Sequence, residues 1–499
     1  MTSSAAAYPD WKAPAAEGEI LLWPQAGQIV ADAADNHRRL ASESKAAIQN
    51  VPLHEARRRM REAAGIQADE RALFSGHQTE LYHPGVWAKD ALTTAAAQAT
   101  DGARAWHLAV DTDRPKHLDL RWPEGSTPIT DDPGIGSAEW SGLLHAPTTD
   151  YERQLQTTFS AAARKWDFRP ASLQLGFSLA EGSLSQSLTV AIAGLDRALG
   201  LKCEYAMASS LFATEPYLLL AAHLLGRAAE VAGAYNAALA IYRNAHRIRT
   251  ASRPMPDLSV AADKIESPFW LDDLATGRRE RAAVRRIEGK WSMELGGGRI
   301  AFDAFADGWQ AAAALKQFLA HRQLRLSPRA LTLTLFARLL LADQFVHGIG
   351  GGRYDQVTDR LIADLLAIEP PKFSVTTATL YFPGAASERR VCLPCLKLEG
   401  HRIEHSLLGA EKMEMVRAIE AQPRYSIARR TIFSRMHTRL RAAAVEHPAM
   451  MQWRQRFESG KRRRELEESI FDRELFFGVQ PVARLQGLVE RYREQFTAK

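Results

Sequence analysis

Between residues 71 and 98 the chain reads RALFSGHQTELYHPGVWAKDALTTAAAQ: an apolar run ends at Gly76, a polar loop follows, and alanine-rich helical spacing begins after Pro84. The pattern predicts a strand, a loop and a helix. Gly76 lets the backbone pass close to a bound group, Pro84 suits a first helical turn, and the N–H groups beyond His83 would face an anion. A second element of this kind starts at Gln344-Phe345-Val346-His347, passes through Gly348, Gly350, Gly351 and Gly352, and enters the helical pattern QVTDRLIADLLAI after Asp355. In open parallel sheets ligands bind beyond the carboxyl ends of the strands, so two turns remote in sequence are expected to line one crevice.

The remaining pattern divides the chain around these turns. Residues 1–70 read as a helical lead-in, with two polar-faced helices in 25–66. Residues 71–150 form a first sheet half, in which Trp106 to Val110 is a second buried strand ending in Asp111-Thr112-Asp113. Residues 151–265 are a helical connecting insertion carrying the longest helix signal, PYLLLAAHLLGRAAEVAGAYNAALAIYRNAHRIR. Residues 266–326 suggest a small antiparallel β/α insertion with a turn at Gly296-Gly297-Gly298. The α/β pattern resumes at Ser327-Pro328-Arg329 and fills 327–385, including an alternating strand from Phe373 to Phe382. Residues 386–475 predict long helices able to pair as a coiled coil, although no heptad run persists for three or four turns, and residues 476–499 close the chain as a helix. The fold class expected is α/β.

Composition narrows the function. With 46% hydrophobic and 24% charged residues the chain is of ordinary globular type, and no uncharged apolar run reaches the roughly 18 residues of a membrane span. The start MTSSAAAYPDWK lacks the basic segment and apolar block of an export signal, so a cytoplasmic location is expected and no membrane partner. Three cysteines, Cys203, Cys392 and Cys395, give no disulfide framework and fit a reducing compartment. The net charge of +6 is local: residues 401–499 hold 20 Lys and Arg against 13 Asp and Glu, a balance of +7. Glutamates interleave there (KRRRELEESIFDRE), so a solvated helix face is favoured over nucleic-acid binding. A non-catalytic scaffold docking RNA or a protein through these basic helices is the alternative reading.

The two turns carry the candidate chemistry. His77 and His347 can donate to phosphate or carboxylate oxygens, Lys89 and Arg329 add positive charge, and the backbone of Gly350, Gly351 and Gly352 can approach a phosphate closely. Gln78, His83 and Asp355 stand beside them, and Asp111 or Asp113 can bind a ribose hydroxyl or a substrate amine. The plainer readings are that His77 and His83 cap the helix, Asp111 and Asp113 cap a turn, Arg329 pairs with a surface acid and Lys89 snorkels to solvent. Separately, Cys392-Leu393-Pro394-Cys395 followed by His401 and His405 offers two sulfurs and two imidazoles to zinc, at a spacing shorter than a finger's. The pair also reads as plain buried hydrophobes after a strand, and a redox role needs an electropositive helix start that the sequence does not display.

On these residues the chain resembles the cysteine-adding enzymes of bacillithiol biosynthesis, the cysteine ligase family. SGHQTELYHPG resembles that family's first Rossmann turn, FVHGIGGGRYDQV its glycine-rich turn, and FFGVQPVARLQGLVERY its closing segment. The resemblance implies a Rossmann-like core interrupted by two connecting segments, then a helical coiled-coil domain able to form a homodimer. It implies a ligase joining cysteine to a glucosamine-malate conjugate through an amide; because amide formation needs the acid made electrophilic, as an acyl phosphate or adenylate, ATP or ADP is the expected nucleotide. Gly76 and Gln78 match the first motif, and Gly350, Gly351 and Gly352 the second. His77 replaces the usual first glutamine, and Val110-Asp111-Thr112-Asp113 stands where a Gly-Glu-Asp-like run is expected.

Overall fold

Strand Arg71–Gln78 pairs in parallel with Ala103–Val110 on one side and with Gln344–His347 on the other. Around this centre a six-stranded sheet runs in the order Ile20–Trp23, Phe373–Ala378, Gln344–His347, Arg71–Gln78, Ala103–Val110, Cys203–Met207. Ile20–Trp23 alone is antiparallel, at the edge. These are features of a computed structural model that describes residues 8–497, apart from 124, 180–181, 251, 254, 296–297, 303–306 and 384–390. The expected Gly296-Gly297-Gly298 turn therefore falls largely outside the described residues.

Side-chain alternation decides where the helices go. Ala72 and Phe74 point to the main apolar core, where Phe74 stacks on Trp106 at 5.8 Å and Phe345 joins them. Ser75 and His107 point the other way, to Asp90 on the helix Pro84–Gln98. His347, two residues beyond Phe345 and so on the core face, meets Asp355 on the helix Ile349–Leu366. The helices that follow two neighbouring parallel strands thus leave on opposite faces of the sheet. Phe373–Ala378 is buried on both faces: Phe373 and Val375 cluster with Trp11, and Thr376 bonds the Tyr492 hydroxyl at 2.6 Å. Its period-2 sequence marks a strand, but not a half-exposed one.

A second, antiparallel sheet of five strands runs Gly298–Ala301, Lys290–Leu295, Arg279–Ile287, Lys264–Asp273, Leu324–Pro328. The last strand corrects the expectation that Ser327-Pro328-Arg329 reopens the α/β pattern. Leu326 is buried, its carbonyl accepts the Tyr217 hydroxyl at 2.9 Å, and Ser327 pairs with Trp270, which fixes the segment to this sheet. The long apolar helix signal is also divided, into Glu215–Gly226 and Ala228–Ala245, with the break at Arg227.

Residues 381–472 cluster, with 122–125, as a separate compact unit. Leu393–Ser406 packs on Pro448–Ile470, where the Trp453 ring covers Gly400 and its Nε1 donates to the Leu396 carbonyl at 2.7 Å. Gly409–Glu420 packs on Ile427–Val445 through Ile419, Met436 and Leu440. Among the described residues no helix is long and apolar enough to cross a membrane.

Candidate functional site

The helix Pro84–Gln98 starts where the sequence places it. Pro84 takes the first helical position and His83 is the N-cap, its Nδ1 accepting the Gly85 N–H at 3.1 Å. Burial and the nearby Arg473 hold the His83 imidazole at about 3, so it caps as a neutral acceptor. Alanines let this helix pack closely, and it is buried almost all round, taking Lys89 and Asp90 inside with it. Lys89 does not snorkel: its Nζ donates to the Gly76 carbonyl, and burial lowers its pKa to about 8.

Beneath the loop lies a buried acid pair. Asp90 accepts from Ser75 Oγ and, at 2.7 Å, from His107 Nδ1. Burial alone would raise Asp90, but His107, Ser75 and Lys89 hold it below the ordinary carboxylate value. Asp196 accepts from Trp87 Nε1 at 2.7 Å and from the Tyr205 hydroxyl at 2.6 Å, yet burial and the Asp90 charge push it up to about 7. The Asp90 carboxyl is thus held toward its ionised form while that of its neighbour Asp196 is pushed toward the protonated one.

Above them lies a narrow cleft with free space for about one water molecule, lined by His77, Gln78, Thr79, Tyr82, His107 and Tyr205, with Leu188 and Ile192 also in its wall. The His77 side chain is 25% exposed there, against 4% for Glu80. Glu80 is held below the ordinary carboxylate value by His77 and by the backbone at His117, against the upward push of burial. An ionised carboxylate only accepts, so His77 Nε2–H donates to Glu80 Oε1 at 3.1 Å. The other ring nitrogen, Nδ1, then carries the lone pair. Burial and the Lys89 cation hold this imidazole at about 4, neutral at physiological pH. A neutral imidazole oriented by a buried carboxylate has the geometry of a general base, while a value near 4 makes it a weak one.

The second turn ends the adjacent strand, but its side chains are engaged elsewhere. His347 Nε2 donates to Asp355 at 2.8 Å, and Arg338 bridges Asp355 at 2.7 Å and Asp359 at 2.6 Å in a buried ion network. Against burial, Arg338 and His347 hold Asp355 far below the ordinary carboxylate value. Gly348 caps the helix with no side-chain bond, and a Cβ at Gly348 or Gly350 would meet open space. A Cβ at Gly351 would lie 2.8 Å from the His347 ring, and one at Gly352 2.4 Å from Val375. Two glycines of the run are thus packing requirements, and two border open space.

Other candidates are placed apart from the narrow cleft. Asp111 caps a later segment, accepting Ser209 N–H at 2.9 Å and the Ser209 hydroxyl. Asp113 is exposed and takes Gln78 Nε2. Arg329 pairs with Glu266 and lies over Trp270, beside the antiparallel sheet. Cys392 and Cys395 are joined by a disulfide and are exposed at a helix start, which corrects their reading as buried residues after a strand. The His401 and His405 rings lie 4.1 Å apart, and among the described residues no group of three or more His, Cys, Asp or Glu side chains is placed to hold a metal.

Sequence reasoning passed over Glu80, Tyr82, Asp90, His107, Asp196 and Tyr205. Two signals were available: Glu80 three residues after His77, and a histidine inside the apolar strand run WHLAV. Neither family models nor characterised proteins gave a match to this chain.

Proposed function

We propose that this chain is a cytoplasmic ligase of the cysteine-adding type, forming an amide between a small amine, such as an amino acid, and a carboxylate, with a nucleotide phosphate held in a Rossmann-like cleft. The observation that carries the reading is the pair of adjacent parallel strands, Arg71–Gln78 and Gln344–His347, whose following helices leave on opposite faces. In open α/β sheets a divergence of this kind is the usual ligand position, at the carboxyl ends of the strands. The open space at Gly348 and Gly350, with backbone N–H groups at a helix start that no side chain caps, suits an anionic oxygen.

When bound, a nucleoside triphosphate supplies the activation that makes a carboxylate electrophilic. At the narrow cleft His77 takes the proton that the amine sheds as it attacks, with Glu80 fixing the ring and stabilising the imidazolium. Gln78 and the Tyr205 and Tyr82 rings orient the substrate. Lys89, tied to the Gly76 carbonyl, adds positive charge behind the loop. Homodimer formation through residues 393–470 belongs to the same reading and is supported by the exposed Leu398, Met413, Ile427, Phe433 and Met451.

The test is turnover of cysteine and a glucosamine-malate conjugate with ATP, read by mass spectrometry. The amide product, absent with His77→Ala, supports the ligase. No product and no calorimetric heat with ATP or ADP removes it, and salt-sensitive RNA affinity lost on deleting residues 406–475 would favour the scaffold instead.

A further inference from the structure

Cys392 and Cys395 take no part in the narrow cleft described above. Cys392 is the N-cap of the 14-residue helix Leu393–Ser406, Pro394 lies in its first turn, and Cys392 Sγ accepts the Cys395 N–H at 3.2 Å. The sulfurs are bonded to each other and both residues are exposed. A bridge spanning a separation of 3 restrains the unfolded chain very little, and at an exposed helix start it staples no core. Once the bond opens, the same N–H and the positive end of the helix favour a thiolate at Cys392, the setting that makes a cysteine reactive. The first turn carries no acidic residue. The adjacent carboxylate, Glu467, accepts the Val391 N–H at 3.0 Å and is offset by Arg463 and Arg464.

We propose that Cys392-Leu393-Pro394-Cys395 is a thiol–disulfide exchange site whose co-substrates are low-molecular-weight disulfides and thiols. In the reduced chain Cys392 thiolate attacks one sulfur of the external disulfide, forming a mixed disulfide and expelling the first external thiolate, which takes a proton. Cys395 gives its proton to solvent and, as thiolate, attacks Cys392 Sγ. The mixed bond breaks, the second external thiolate leaves and is protonated, and the Cys392–Cys395 bond closes. The protein dithiol is oxidised by two electrons and one external disulfide becomes two thiols. The reverse sequence, with two external thiols, regenerates the dithiol. The remaining cysteine, Cys203, lies in a strand with its thiol pushed up by burial and does not compete.

The full chain is reduced, freed of reductant and mixed with oxidised glutathione, and modified peptides are mapped by mass spectrometry after alkylation. The inference expects the Cys392–Cys395 bridge to re-form while Cys203 stays a thiol. In Cys395→Ser, glutathione accumulates on Cys392 with a rate–pH midpoint about one unit or more below the ordinary ~8.5 of a free cysteine. In Cys392→Ser, the Cys395 midpoint stays at or above that ordinary value. Equal midpoints in the two variants, or a reduced pair that stays unbridged in oxidised glutathione, would overturn the inference.

Discussion

Asp343 precedes the strand Gln344–His347 and is completely buried. Its Oδ1 accepts Arg57 Nη2 at 2.6 Å and His37 Nδ1 at 3.1 Å, and its Oδ2 accepts the Ala72 N–H at 2.7 Å and Arg61 Nη1 at 3.1 Å. One carboxylate thus ties two N-terminal helices to the start of two neighbouring parallel strands. Asp343→Asn keeps the size, removes the charge and leaves Arg57 and Arg61, 3% and 5% exposed, without their counter-ion. Loss of one partner from a buried ion pair costs about 3–5 kcal/mol. The pH dependence gives a second figure. Against burial, Arg57, His37 and Arg61 lower Asp343 from the ordinary 3.8 to about 2, which corresponds to about 2 kcal/mol of stability. Because the folded value is depressed, this stability is complete above the unfolded value and is lost as pH falls through the folded one. Urea unfolding at pH 7 and pH 3 is the assay: the variant unfolds at much lower urea at pH 7, and the gap narrows at pH 3. A variant within about 1 kcal/mol of the parent at pH 7, or a gap that ignores pH, would refute the reasoning.

Other consequences follow from the same geometry. Asp196 has its folded pKa raised to about 7, so its favourable neutral form is complete at low pH and lost as pH rises through that value. Asp196→Asn should therefore gain thermal stability relative to the parent between pH 5 and pH 8.5, and an unchanged difference would contradict the assignment. Gly352→Ala, whose Cβ meets Val375 at 2.4 Å, should cost about 1–3 kcal/mol in urea titrations. Gly350→Ala, facing open space inside the same helix, should be neutral or stabilise by up to about 1 kcal/mol. Equal costs for the two would mean the turn packs otherwise. Gly351→Val should displace the His347 ring and lower calorimetric ADP affinity while the far-ultraviolet spectrum stays native; unchanged affinity would separate this turn from the ligand.

The strand, loop and helix of residues 71–98 were legible because Gly76 and Pro84 punctuate them by local rules. The antiparallel pairing of Lys264–Asp273, Arg279–Ile287 and Lys290–Leu295 was legible for the same reason, as short alternating runs between turn residues. The alternative that Lys89 snorkels to solvent fails in the structure, and an alanine-rich helix carries no periodicity to reveal that it is covered on every side. Strand Ile20–Trp23 was missed: four residues hold too little alternation, and only its pairing with Phe373–Ala378 makes it a strand. The sheet joined by Leu324–Pro328 was likewise a question of tertiary partners. The polar cluster was invisible for a related reason, because Asp90, His107, Asp196 and Tyr205 meet only once two strands and two helices are assembled. His77 was singled out, but the carboxylate that orients it, three residues away, was not.

Hydrogen–deuterium exchange of the full chain with and without ADP tests the central claim most directly, since both turns are said to border one ligand crevice. The account predicts slowed exchange in residues 76–83 and 348–352 together. Protection confined to one of these segments, or appearing only elsewhere in the chain, would contradict it.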